Sequence, residues 1–282
     1  MALILAVATT SWGSILARLC VSHPLTVSFH RLLLATLLLL ATVPPRLPRG
    51  TGGKALRASI AAGLLLALHF ASWIGSLRFT TIAASTLLVS TQPLFSALLS
   101  WRFLGEPPSR RGLAGILLAF AGVALVAGFD GRAGADRLKG DALAVLGAVC
   151  AAAYLVVGRA ARDVAPFRTY LALVNGAGAV AAGLLAVLAG VPLRPAIAGD
   201  WLWLALMAAG PHVLGHGALN FAVRRLPAWM ANLPVLGEPV LASLLAYRIF
   251  AEVPPAGALP GALLIAAGVV LAARASAPRA TL

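Results

Sequence analysis

Few side chains in this sequence could do chemistry, and most of those stand inside long apolar runs. Glu238 is an acid in the middle of one run, in Leu236-Gly237-Glu238-Pro239. Pro239 has no N–H to give and frees the carbonyl of Val235. A carboxyl group beside such a break could bind a cationic group or take up a proton. The competing reading is a hydrogen-bonded or protonated Glu that braces the kink. Gln92 stands before Pro93 in the same way, so two kink sites carry one neutral and one ionisable side chain. His212 and His216 lie four apart on one helix face, with Asn220 one turn further. His69 and Trp73 repeat that spacing, with Ser72 nearby. Buried His side chains commonly serve as helix–helix hydrogen bonds, and a cavity wall is the sharper alternative. An H-x-x-x-H pair without a neighbouring Glu or a third ligand does not make a zinc site, so no metal is expected. Trp12 and Tyr154 could wall a cavity and stack on a ligand, or simply pack. Arg31, beside His30, could reach the outer interface by snorkelling or bind a substrate carboxylate. The snorkelling role is favoured.

The candidate substrate-binding set is therefore Trp12, His69, Trp73, Gln92, Tyr154, His216, Asn220 and Glu238. Glu238 is also the candidate proton-coupling group, and Pro93 and Pro239 are the candidate helix kinks.

The elements that must hold these residues are membrane helices. Of 282 residues, 61% are hydrophobic and only 11% charged, whereas an ordinary soluble domain is about 25% charged. The mean hydropathy is +0.95. Apolar runs of bilayer-spanning length are expected near 2–19, 24–43, 57–77, 80–101, 110–129, 141–158, 166–190, 200–221, 227–247 and 256–274. The fold class is thus an all-α integral membrane protein of ten transmembrane helices, multi-pass, with short loops and no soluble domain. The first run reads as a helix and not as a removed signal peptide. The net charge of +14 comes from Arg and Lys between the apolar runs. With an N-terminus in the cytoplasm, the cytoplasmic loops hold twice as many basic residues as the outer ones. Both termini are therefore expected inside the cell (inner) membrane, and no nucleic-acid partner is implied. Cys20 and Cys150, with no CxxC or Cys/His cluster around them, read as small packing residues.

The second half restates the first. Residues 92–128 and 238–274 align without a gap at an offset of 146, which matches Pro93 with Pro239, Arg102 with Arg248 and Glu106 with Glu252. Gly115 falls on Gly261 and Gly122 on Gly268. Each copy holds five spans, so the second enters the membrane the opposite way: a 5+5 inverted repeat. The expected division is 1–129 for the first copy, 130–140 for a linker and 141–282 for the second. Inverted repeats recur in secondary transporters, with a site at the midplane. The matched helices three and eight, with Phe70 opposite His216, would present His, Trp and Asn to such a site. The glycines of helices five and ten suit close packing away from it, and a homodimer interface is one use for them.

Several motifs carry a family resemblance that covers essentially the whole chain. They are Ser11-Trp12-Gly13, Arg31 before an apolar run, Pro93 with Leu104-Gly105-Glu106, and Glu238-Pro239 with Glu252. In these the chain resembles the drug/metabolite transporter superfamily, in particular the EamA-type ten-helix permeases. It departs from their pattern at Ala251, where a Gly is expected before Glu252. The resemblance implies a permease of amino acids or related amphiphilic metabolites, acting as an exporter by alternating access. No cofactor is implied, and the partners are a small-molecule substrate, the lipid bilayer and protons as a coupling ion. No Walker motif is present to hydrolyse ATP. A nucleotide-sugar or lipid-precursor carrier is the nearest alternative, although such cargo would want more basic residues than Arg31 in the cavity. A membrane-embedded enzyme is the more distant one, because no nucleophile has a partner motif.

Overall fold

The computed structural model describes residues 2–42, 52–128, 134–161, 163, 165–254 and 256–275. Residues 44–51 of the expected loop over 44–56, residues 130–133 of the expected linker, and Arg46, Arg49, Arg132, Arg162 and Arg279 lie outside the described residues, whereas residues 52–56 of that loop are helical.

Helix is the only regular structure among the described residues, and its segments run end to end into rods. We number these α1 (Ala2–Thr10 and Trp12–Leu19), α2 (Pro24–Thr42), α3 (Gly52–Ser76), α4 (Ile82–Val89 and Gln92–Leu104) and α5 (Arg110–Gly128). They continue with α6 (Ala135–Ala160), α7 (Phe167–Leu188), α8 (Asp200–Val223), α9 (Ala228–Phe250) and α10 (Ala258–Ala275). Seven rods, α2, α3, α4 and α6 to α9, are long and apolar enough to cross a membrane. Their outer faces carry exposed Leu and Val, such as Leu37, Leu64, Leu98, Val180 and Leu184. That is what a chain solvated by lipid tails requires, because every backbone polar group is already satisfied inside a helix.

One boundary departs from expectation. Residues 135–140, assigned to a linker, form the first turns of α6. Asp136 sits in the first turn, where the helix dipole favours an anion. Arg137 then pairs with Asp141 at 3.4 Å, one turn on.

The most extensive packing joins α5 to α10, α3 to α6 and α1 to α8. In the α5–α10 seam a Cβ on Gly268 would stand 2.4 Å from the Gly115 carbonyl oxygen, and one on Gly122 would stand 2.6 Å from that of Gly261. The glycine faces considered for a homodimer are thus taken up within one chain. Gly268→Ala should push the two backbones apart and destabilise the protein by about 1–3 kcal/mol, read as a lower unfolding temperature in detergent. Unchanged unfolding would mean that the seam yields freely.

The ends of α4 and α9 are built alike. The N–H groups of Gly105 and Glu106 both reach the Ser100 carbonyl, and those of Ala251 and Glu252 both reach that of Ala246. This cap needs a left-handed residue, with φ of 65° at Gly105 and 53° at Ala251. Ala251 pays a steric cost that glycine would not. Ala251→Gly should therefore raise stability by about 1 kcal/mol. A fall in unfolding temperature would count against this account of the cap.

Candidate functional site

The site begins where α4 and α9 change course. α9 runs as a short α-helix, then as a 3-10 turn over Leu233–Gly237, then as α-helix again from Glu238. α4 breaks at Ser90-Thr91 and resumes at Gln92. Pro93 and Pro239 each stand in the first turn of the resumed segment, where a missing N–H leaves no intrahelical bond unmade. The Val235 carbonyl, to which Pro239 has no N–H to give, accepts the Glu238 N–H and, at 3.3 Å, the Ser90 hydroxyl. The breaks stand beside Pro93 and Pro239, and Gln92 and Glu238 are buried.

Opposite them, α3 and α8 supply an aromatic cage. The stretch Ala208–His216 of α8 is a π-helix with Pro211 inside it. Such widened turns cluster at functional sites. The wider turn keeps residues four apart nearly in line, and the His212 and His216 rings stack with centroids 5.4 Å apart. Phe70 meets both rings at 5.2 Å, and His69 stacks on Trp73 at 6.0 Å. The Nδ1–H of His69 donates to the Gly147 carbonyl at 2.9 Å. Close approach also explains the glycine of Ser11-Trp12-Gly13: a Cβ on Gly13 would come within 3.1 Å of the Trp73 ring.

Arg31 of α2 fills the centre of this cage. It is 1% exposed, its guanidinium carbon lies 4.0 Å from the Phe70 ring centroid, and its Nε donates to His212 Nδ1 at 3.2 Å. The expectation that Arg31 snorkels to the outer interface is therefore corrected. Aromatic faces and an imidazole acceptor solvate the cation where it stands, so no route to the interface is needed.

Thr10, Arg31, His69, Trp73, Val89, Gln92, His216, Leu219, Val235 and Glu238 line one small cavity. Its free volume of about 20 Å³ is room for about one water molecule. Thr10 and Arg31 share this lining with Glu238. Arg31 Nη1 and Trp73 Nε1 are buried donors without a partner. Such groups normally cost about 1–3 kcal/mol each, and both belong to residues of the lining.

Both ends of the bundle are tied shut around it. At one end Asp200 accepts from the Val21 and Ser22 N–H groups at 3.2 and 2.9 Å. At that same end Glu252 accepts from Ile82 N–H at 2.7 Å. At the other end Arg159 pairs with Glu106 at 2.8 Å and reaches the carbonyls of Val223 and Arg224.

Of the residues singled out in the sequence, His69, Trp73, Gln92, His216 and Glu238 come together in the cavity. Trp12 does not: it is 43% exposed on the outer face of α1. A helix face cannot be assigned from a run that is apolar all round, and it is the neighbouring Gly13 that turns inward. Tyr154 and Asn220 hydrogen-bond each other outside the cavity lining. Thr10 and Asn175 were missed. Asn175 had a readable signal, a carboxamide amid the otherwise apolar middle of α7, where polar groups must find partners.

A bundle of apolar helices around a small cavity lined by charged and aromatic side chains suits a membrane transporter. The sequence profile of the EamA-like transporter family matches residues 1–128 and 138–274. The chain belongs to that family and is a multi-pass membrane transporter, not an enzyme. Among its relatives, an uncharacterized transporter of Archaeoglobus fulgidus is 25% identical, over 88% of this chain and 87% of its own length. A probable terminal-alkyne amino-acid exporter of Streptantibioticus cattleyicolor is 31% identical, over 66% of this chain and 62% of its own. A solved crystal structure shares the fold, with a TM-score of 0.74 at 18% identity, covering 96% of this chain and 94% of that one.

Proposed function

We propose that this chain is a secondary transporter that exports amino acids or related amphiphilic metabolites by alternating access around the Arg31–Glu238 cavity. The observation that carries this reading is one cavity lined together by a guanidinium, an indole and an acid, with Arg31 Nη1 and Trp73 Nε1 unpartnered. A zwitterion has the complementary groups: a carboxylate for Arg31 and Trp73, and an ammonium for Glu238 and Gln92. His69, Trp73 and His216 wall the space between. The name of the Streptantibioticus relative supports the substrate class and the direction. A nucleotide sugar suits the cavity less well, because a diphosphate would meet only one cation.

All ten rods cross the cell (inner) membrane in this reading, as a 5+5 inverted repeat with both termini cytoplasmic. Reciprocal contacts support it. Gly115 meets Gly268 while Gly122 meets Gly261, the exchange expected across a two-fold axis. The matched residues Phe70 and His216 touch, and the matched Gln92 and Glu238 share the cavity. Opening the Glu106–Arg159 end or the Asp200–Ser22 end would then expose the same site to either face in turn. Glu238 exchanges a proton for the substrate's ammonium group, which couples export to the proton gradient.

Uptake into proteoliposomes tests the reading, with amino acids, cationic amines and nucleotide sugars offered with and without a pH gradient. Gradient-stimulated transport of amino acids is expected. Transport confined to nucleotide sugars would replace the substrate assignment, and transport indifferent to the gradient would make the protein a facilitator.

A further inference from the structure

Three hydrogen bonds lead away from Arg31 and fix one another's direction. The Nε of arginine is always a donor, so His212 Nδ1, at 3.2 Å, must accept from it. The proton of neutral His212 then sits on Nε2, which donates to Asn175 Oδ1. Asn175 cannot be turned the other way, because its Nδ2 donates to the Leu171 carbonyl at 2.8 Å in its own helix. All three side chains are at least nine-tenths buried. The chain holds the Nε edge of the guanidinium, while Nη1 has no partner and belongs to a cavity-lining residue.

We infer that His212 and Asn175 are positioning residues, which clamp the Nε edge of Arg31 so that its Nη1 meets the substrate carboxylate. The inference rests on the reading of Arg31 as the carboxylate ligand. It sets His212 apart from its neighbours. Protonated at Nδ1 it would face a second donor and release Arg31, so it stays neutral through the cycle and relays no proton. His69, whose Nδ1–H donates to Gly147, holds the opposite tautomer.

Two measurements test this. In ¹⁵N-histidine spectra of the unaltered protein in bilayers, assigned with His212→Gln, His212 should be protonated at Nε2 and bare at Nδ1. A proton on Nδ1 overturns the inference without any variant. In proteoliposomes Asn175→Leu should raise KM for L-leucine about tenfold, with kcat held within about twofold, because binding and not turnover is impaired. Asn175→Asp keeps the shape and the acceptor, but its charge draws a proton onto Nδ1, so KM should rise at least as far. Binding of leucinamide, which lacks the carboxylate, should not respond to either change. Wild-type KM in both variants, while Arg31→Gln impairs leucine binding, overturns the positioning role and leaves Arg31 as the ligand. Wild-type leucine binding in Arg31→Gln overturns the reading of Arg31 and the inference with it. If L-leucine is not transported at all, the proposed substrate class fails, and the His212 tautomer alone decides whether the clamp exists.

Discussion

Glu238→Gln is expected to abolish the response of transport to a pH gradient while leaving the fold intact. Gln keeps the shape of the side chain, and Gln already fills the matched position 92 without harm to α4. What the substitution removes is the one ionisable acid lining the cavity. A gradient of one pH unit supplies about 1.4 kcal/mol per proton, a factor of ten in accumulation. Wild-type vesicles should therefore concentrate an amino acid about tenfold per unit for each proton exchanged, and the variant should only equilibrate it. Counterflow, which needs no net driving force, should persist in the variant and so separate uncoupling from inactivation. Gradient-driven accumulation by Glu238→Gln would move the coupling group elsewhere and leave Glu238 as a brace for the α9 break.

Arg31→Gln should have the second large effect, on affinity. A charge-assisted hydrogen bond is worth about 1.5–3 kcal/mol, so its loss should raise KM for a carboxylate substrate about 10- to 100-fold. The same change removes the cation over Phe70 and leaves His212 Nδ1 without its donor, so some loss of thermal stability should accompany it. Arg31→Lys should rescue poorly, because an ammonium on a flexible stem has no rigid fork to serve His212 and a substrate together. KM and the unfolding temperature in detergent decide the case. A lower unfolding temperature with an unchanged KM would give Arg31 a structural role only.

The sequence was most informative about what a bilayer dictates. Composition and run length are enough to indicate helices, because lipid admits few other ways to satisfy a backbone. Proline and glycine in one register were enough to expose the repeat, because their backbone effects do not depend on distant partners. The same logic made the breaks at Pro93 and Pro239 readable, and the strained Ala251 visible as a departure. It failed at 135–140, where local charge pairing extended a helix into the supposed linker.

The site was legible in part. His69, Trp73, Gln92, His216 and Glu238 stood out as polar or aromatic groups at matched depths in matched helices, and the structure gathers them into one cavity. Trp12 failed because α1 is apolar on every side, so its sequence does not choose between lipid and core. Arg31 was ambiguous for a related reason. Two turns inside a helix, a guanidinium can reach the interface or stay, and the choice depends on what faces it.

The chain of residues thus determined by itself that this is a membrane bundle, and which few polar side chains need partners. Only the tertiary structure decided who those partners are. Periodicity reports which residues share a face of one helix. The pairings of Arg31 with His212, of His212 with Asn175 and of Glu106 with Arg159 join residues 181, 37 and 53 positions apart, and they exist only once separate rods have packed.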